Sequence, residues 1–119
     1  MVGLFKHPKR HMKKLLKDGE YIEALEYGKN LESKFTDDHD FMFIMGSIYF
    51  IVEDAKKALP YFEKAYELDK SDVETLTLKT NVHLALQQKD EAIDCCKKII
   101  ELEPNNTEAQ DLLAELENL

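Results

Sequence analysis

The chain has 119 residues, 34% of them charged and 44% apolar, with three prolines, four glycines and no tryptophan. That length suits one domain with a continuous core, and the composition excludes both a disordered polymer and a fibrous repeat. The formal charge of −8 conceals an asymmetry: residues 1–17 carry Lys6, Lys9, Arg10, Lys13, Lys14 and Lys17 with no acid, whereas the stretch from Ile99 onward holds six acids and no Lys or Arg. No apolar run approaches the roughly 20 residues that span a bilayer, and no apolar segment with a small-residue cleavage site opens the chain, so a soluble, cytoplasmic protein is expected.

In chain order, Pro8 suits the first turn of a helix, where its missing N–H costs nothing. Met12, Leu15 and Leu16 then share one face up to a break at Asp18-Gly19. This basic segment reads first as a helix packed on the rest and second as a mobile arm. The next helix carries Ala24 and Leu31, with Gly28 where a large residue is expected and Phe35 as a late anchor. Met42, Met45, Gly46 and Tyr49 mark the following helix, and Ala58, Phe62 and Ala65 the one after it, with Pro60 tolerated near a first turn. Ser71 to Glu74 reads as a capping box before Leu76 and His83, and Thr107 to Gln110 as another; between them come Ala92, Cys96 and Ile99, closed by Pro104. The last segment places Ala109, Leu112, Leu113 and Leu116 at i, i+3, i+4 and i+7, an amphipathic helix.

Ala24, Ala58 and Ala92 are spaced 34 residues apart, as are Leu25, Leu59 and Ile93. A 34-residue period with a small residue where two helices cross, together with the run Gly46, Tyr49, Ala58, Phe62, resembles the tetratricopeptide repeat. The resemblance implies an all-α fold, a right-handed superhelical α-solenoid of antiparallel helix pairs forming a single domain over 1–119. Repeat one covers about 5–38, repeat two 39–72 and repeat three 73–106, with a capping helix at 107–119. Gly46, Tyr49, Ala24, Ala58, Phe62, Ala65, Ala92 and Pro104 are then structural positions of the repeat. Each helix pair leaves an apolar face that only the next pair covers, and the last helix closes the stack.

Enzyme signals are lacking: there is no phosphate-binding glycine loop, no Cys-x-x-Cys and no nucleophile elbow, and no cofactor is expected. Cys95 and Cys96 are adjacent on a helix, so their side chains diverge by about 100° and cannot pair with each other. His7 and His11 have helical spacing but no further ligand motif, which argues against a metal site. Nucleic acid is excluded by the −14 carried outside the basic segment, and a membrane surface is disfavoured by Pro8 within residues 1–17.

What remains is a non-enzymatic scaffold that binds a protein or peptide. By resemblance, the first helix of each pair lines a concave groove, which assigns Lys6, Lys9, Lys13, Phe43, Ser47, Phe50, Thr77 and Asn81 to it. Phe43 and Phe50 would anchor apolar groups and Lys9 and Lys13 would steer acidic ones, while Asn81 suits a peptide backbone. The carboxylate clamp that related cochaperones use for heat-shock chaperone tails would fall on Lys9, Lys13, Ile44, Glu74 and Leu78. Only Lys9 matches that clamp, so no grip on such a tail is expected. The alternative is a homo-oligomer in which the basic first helix of one copy meets the acidic cap of another.

Overall fold

The computed structural model describes residues 7–118, and its elements there are all helical: α1 (Pro8–Lys17), α2 (Tyr21–Leu31) with a 3-10 turn at Glu32–Lys34, α3 (His39–Ile51), α4 (Ala55–Leu68), α5 (Val73–Ala85), α6 (Lys89–Leu102) and α7 (Thr107–Glu117). Lys6 and Leu119 lie outside the described residues, as does the start expected for repeat one. The helices pack in sequence as antiparallel pairs, with α1 also touching α3 and α3 touching α5, into an α-solenoid measuring 51 × 24 × 22 Å. α7 covers the end of the stack with Ala109 and Leu116, which are buried against Ile99 and Cys96.

The three alanines that set the period are fully buried at the crossings. Around them the helices differ in how they share volume. A Cβ on Gly46 would lie 3.0 Å from the Phe62 ring, so α3 meets α4 through a small residue against a large one. In the first pair the order reverses, because a Cβ on Gly28 would lie 2.4 Å from the Met45 sulfur and 2.7 Å from the Met12 methyl. Gly28 thus makes room for two methionines, which is why no large residue is needed there.

Helix ends follow the same period. Asp38, Asp72 and Asn106 are 34 residues apart and cap α3, α5 and α7, accepting from the backbone N–H of Phe41, Glu74 and Ala109 at 2.9, 3.2 and 2.9 Å. Both expected capping boxes therefore shift by one residue. The Ser71 hydroxyl donates to Asp69 instead, and Thr107 is the first helical residue. A carboxylate or amide oxygen is as good an N-cap acceptor as a hydroxyl or better, so the Asp or Asn takes the role. Pro60 lies in the second turn of α4 rather than near its first; it and Lys56, whose carbonyl loses a donor, are both exposed, so the freed carbonyl is on the solvent side of the helix.

The turns after α1, α3 and α5 repeat too. Gly19, Glu53 and Gln87, again 34 apart, have φ of 79°, 64° and 58°. The following N–H groups reach back to Leu15, Tyr49 and His83 at 2.8 Å each, the bond pattern of a Schellman turn. Only the first of these positions has the residue suited to left-handed backbone. Because a side chain there costs about 1 kcal/mol, Glu53→Gly should raise stability by about 0.5–1 kcal/mol, read as a higher urea midpoint with an unchanged slope.

Candidate functional site

Side chains of α1 and α3 and residues at the start of α5 converge on one cavity. Between them lies a cavity of about 290 Å³ with Lys13 and Leu16 on the α1 wall, Asp40, Phe43, Ile44 and Ser47 on α3, and Glu74 at the start of α5. Phe43 is half-buried, with an edge-to-face contact to Phe62 at 5.9 Å and a stacked one to His39 at 6.4 Å. Its ring is thus held by two aromatic neighbours and stays partly exposed to the cavity. The Ser47 hydroxyl donates to the Phe43 carbonyl at 2.8 Å, leaving its oxygen to accept from the groove.

Of the expected groove residues, Lys13, Phe43 and Ser47 come together on this cavity. Thr77 and Asn81 line a second one of about 170 Å³, farther along, with Thr80, Asn106 and Leu112. Phe50 is on neither wall; it is half-buried against the core. Lys6 falls outside the described residues. Lys9 is held by Asp38, whose two carboxylate oxygens accept from its ammonium at 3.1 and 2.9 Å, with Asp40 at 3.7 Å. It ties α1 to the start of α3, so its charge is already answered.

Two residues that the sequence did not single out shape the groove mouth. His39 places Nε2 3.1 Å from both Asp72 Oδ2 and Thr75 Oγ1, bridging α3 to α5. Thr75, fully buried, donates its hydroxyl to Asp72 at 2.6 Å. The 34-residue register of Asp38 and Asp72, both N-caps, was the available signal.

Elsewhere the polar groups are structural. Burial pushes the Cys95 and Cys96 thiols above their ordinary value, so neither is poised as a thiolate. His83 is buried with Nδ1 2.8 Å from Gln88 Oε1 across the α5–α6 turn. Lys79, on a face where an apolar residue is expected, lies 4.9 Å from the Tyr66 ring centre, and Lys98 lies 5.1 Å from it, so the aromatic face takes two ammonium groups. Among the described residues, no group of three or more His, Cys, Asp or Glu could hold a metal ion.

A model of the tetratricopeptide repeat matches residues 49–116. The chain belongs to the tetratricopeptide repeat family. Its fold superposes on the first tetratricopeptide domain of Spaghetti (RPAP3), solved bound to the HSP90 peptide SRMEEVD, with a TM-score of 0.83 and 25% identity, covering 93% of this chain and 88% of that one. The first such domain of human RPAP3 gives 0.80 at 25% identity, covering 94% and 88%. The Yersinia enterocolitica type III secretion translocator chaperone SycD shares the fold at 15% identity with a TM-score of 0.78, over 95% and 78% of the two chains. In sequence, the STIP1 homolog of Dictyostelium discoideum is 35% identical over 57 residues, 48% of this chain. The match spans only 10% of that protein. Among the described residues of this tetratricopeptide chain, no helix is long and apolar enough to cross a membrane.

Burial raises the Asp38 carboxyl, but the Lys9 and Phe41 hydrogen bonds and the Lys9 charge outweigh it and hold it below its ordinary value. A carboxyl lowered by folding stabilises above its unfolded pKa of about 3.9 and loses that contribution as pH falls through the folded value. Asp38→Asn keeps the cap and removes the ion pair. It should cost about 1 kcal/mol at neutral pH, with the gap to the parent closing as pH drops below about 3.9, measured by urea unfolding across that range.

Proposed function

We propose that this protein is a non-enzymatic interaction module that holds a segment of a partner protein in the α1–α3–α5 groove. The observation that carries the reading is the cavity whose floor is the half-buried Phe43 ring, with Leu16 and Ile44 beside it and the exposed Lys13 on its rim. An aromatic face held rigidly by Phe62 and His39 offers apolar area at little entropic cost, the property of an interface anchor. The second cavity, between α5, α6 and α7, adds the Asn81 amide, which can both donate to and accept from a peptide backbone. That related repeat domains have been solved with short peptides bound supports a peptide as the occupant. The heat-shock tail is not the expected one. At the five clamp positions Lys9 is engaged by Asp38, Lys13 is an exposed ammonium, Ile44 is buried, Leu78 is half-buried and Glu74 is an exposed carboxylate.

A second reading is head-to-tail self-assembly. Arg10, Lys13, Lys14 and Lys17 are exposed on α1, and Glu108, Asp111, Glu115 and Glu117 on α7. Along a molecule 51 Å long these ends are held well beyond the screening length of about 8 Å at physiological salt, so they cannot neutralise each other within one copy. Light scattering at low and high salt separates the readings: a monomer at both favours the peptide receptor, and a mass that falls with salt favours assembly.

The paired substitution Phe43→Ala with Lys13→Ala should weaken partner capture by a factor of ten or more while the circular dichroism stays helical. Losing a hot-spot aromatic alone costs about 2 kcal/mol or more. Capture that survives both changes at full strength would place the interface elsewhere.

A further inference from the structure

We propose that the α1–α3–α5 cavity selects a cationic side chain of its partner, seated between Asp40 and Glu74 with its aliphatic stem on the Phe43 ring. The proposal rests on the groove reading above and specifies the chemistry that the groove takes.

The charges on the cavity wall are Lys13, Asp40, Asp72 and Glu74, one ammonium against three carboxylates, with His39 among them. Their engagements differ. Asp72 is occupied, accepting from the Glu74 N–H, the Thr75 hydroxyl and the His39 ring. Lys9, which would have supplied a second positive charge, is spent on Asp38, and its approach to Asp40 at 3.7 Å is the longer and more solvated of its two pairings. Asp40, which also stands 3.7 Å from His39 Nδ1, keeps a side chain 60% exposed, and Glu74 is exposed with no ion-pair partner within 4 Å among the described residues. Two accessible carboxylates therefore share the cavity wall with the half-buried Phe43 ring, which is stacked on His39 and meets Phe62 edge to face.

A lysine or arginine matches all three features at once. Its head carries the donors that carboxylates lack, and its methylene stem covers apolar surface. Over Phe43 it also gains from the ring's negative face. An acidic residue at the same place would meet two like charges in a partly desolvated site. Lys13 stands across the cavity on α1, so the groove is polarised across its width, positive at the α1 wall and negative at the start of α5. A bound segment would lie with its basic residue toward α5 and an acidic residue or a carbonyl toward Lys13, which fixes its direction as well as its charge. In this respect the cavity differs from what the peptide SRMEEVD, bound by a related domain, offers, since four of its charged groups are acidic if its free carboxyl terminus is included and one is basic.

The test is selection of a displayed library of random twelve-residue peptides on the intact protein, with the enriched peptides then synthesised. The expected result is enrichment of Lys or Arg beside an apolar residue. A selected peptide should shift the backbone amides of Phe43, Ser47 and Glu74 in nitrogen-15 spectra and bind about tenfold tighter than its twin with Glu in place of the basic residue. Glu74→Lys should invert that preference and Glu74→Gln should reduce it, which separates charge recognition from any effect of the lysine on helix α5. Enrichment of acidic peptides at this cavity, or binding of SRMEEVD there, would overturn the proposal while leaving the groove reading intact. Basic peptides that shift α7 amides instead would overturn it too. If no peptide moves the groove amides, the groove reading falls and takes this inference with it.

Discussion

The close approach of α3 to α4, a glycine against a phenylalanine ring, is the constraint on which the rest of the stack depends. With Gly46 3.0 Å from Phe62 at the position of its missing Cβ, the two helices come near enough for Phe62 and Ala58 to be fully buried, and Met45 and Ile48 on α3 are then free to pack toward the neighbouring pairs. One pair earlier the same two positions hold Met12 and Gly28, the same exchange of volume in reverse order, and one pair later Thr80 and Cys96, both buried and both of middling size. Summed volume at the crossing is held roughly constant while its ownership changes. Dense packing is what makes such compensation necessary, because an unfilled methylene or an extra one costs stability in either direction.

Capping carries that register into the groove. An acid at a helix N-terminus satisfies a backbone N–H and meets the positive end of the helix dipole. Asp38 and Asp72 do this for α3 and α5, and each uses a remaining oxygen on the neighbouring element, Asp38 on Lys9 of α1 and Asp72 on His39 of α3. The first helices of successive pairs are thus tied at the same height, by an ion pair and by a histidine bridge. Their one-turn ladders of side chains stay aligned, so Lys13, Phe43 and Ser47 face one cavity.

The period and the buried alanines were legible in the sequence because burial at a helix crossing permits almost no other side chain. The amphipathic last helix was legible for the same reason. One cap was placed a residue early and the other a residue late, since Ser71 and Thr107 adjoin better acceptors in Asp72 and Asn106 and local pattern does not say which of two neighbours takes the non-helical backbone. Glu53 and Gln87 gave no signal as turn residues. Their left-handed backbone is imposed by the tertiary register that Gly19 announces in the first repeat. Lys79 looked like a misfit until Tyr66 supplied it with an aromatic face. Of the groove residues assigned by resemblance, Lys13, Phe43 and Ser47 line one cavity and Phe50 lines none, and their engagement was not legible: nothing local to Lys9 says that Asp38, 29 positions away, will claim its charge.

That last gap explains how the groove's electrostatics arise. The groove residues assigned by resemblance run from lysines on the first helix to Thr77 and Asn81, whereas the folded cavity sets Lys13 of α1 against carboxylates at the starts of α3 and α5. The acids that divide it lie at the starts of α3 and α5 because helix ends favour them there, a requirement of stability that operates whether or not a ligand is present. Once Asp38 cancels Lys9, the remaining carboxylates at those helix starts outnumber Lys13 on the cavity wall. A surface selected in part for capping thereby acquires a definite charge preference, and a change of partner would have to be written at exposed positions such as Glu74, where the side chain can be replaced without giving up a cap.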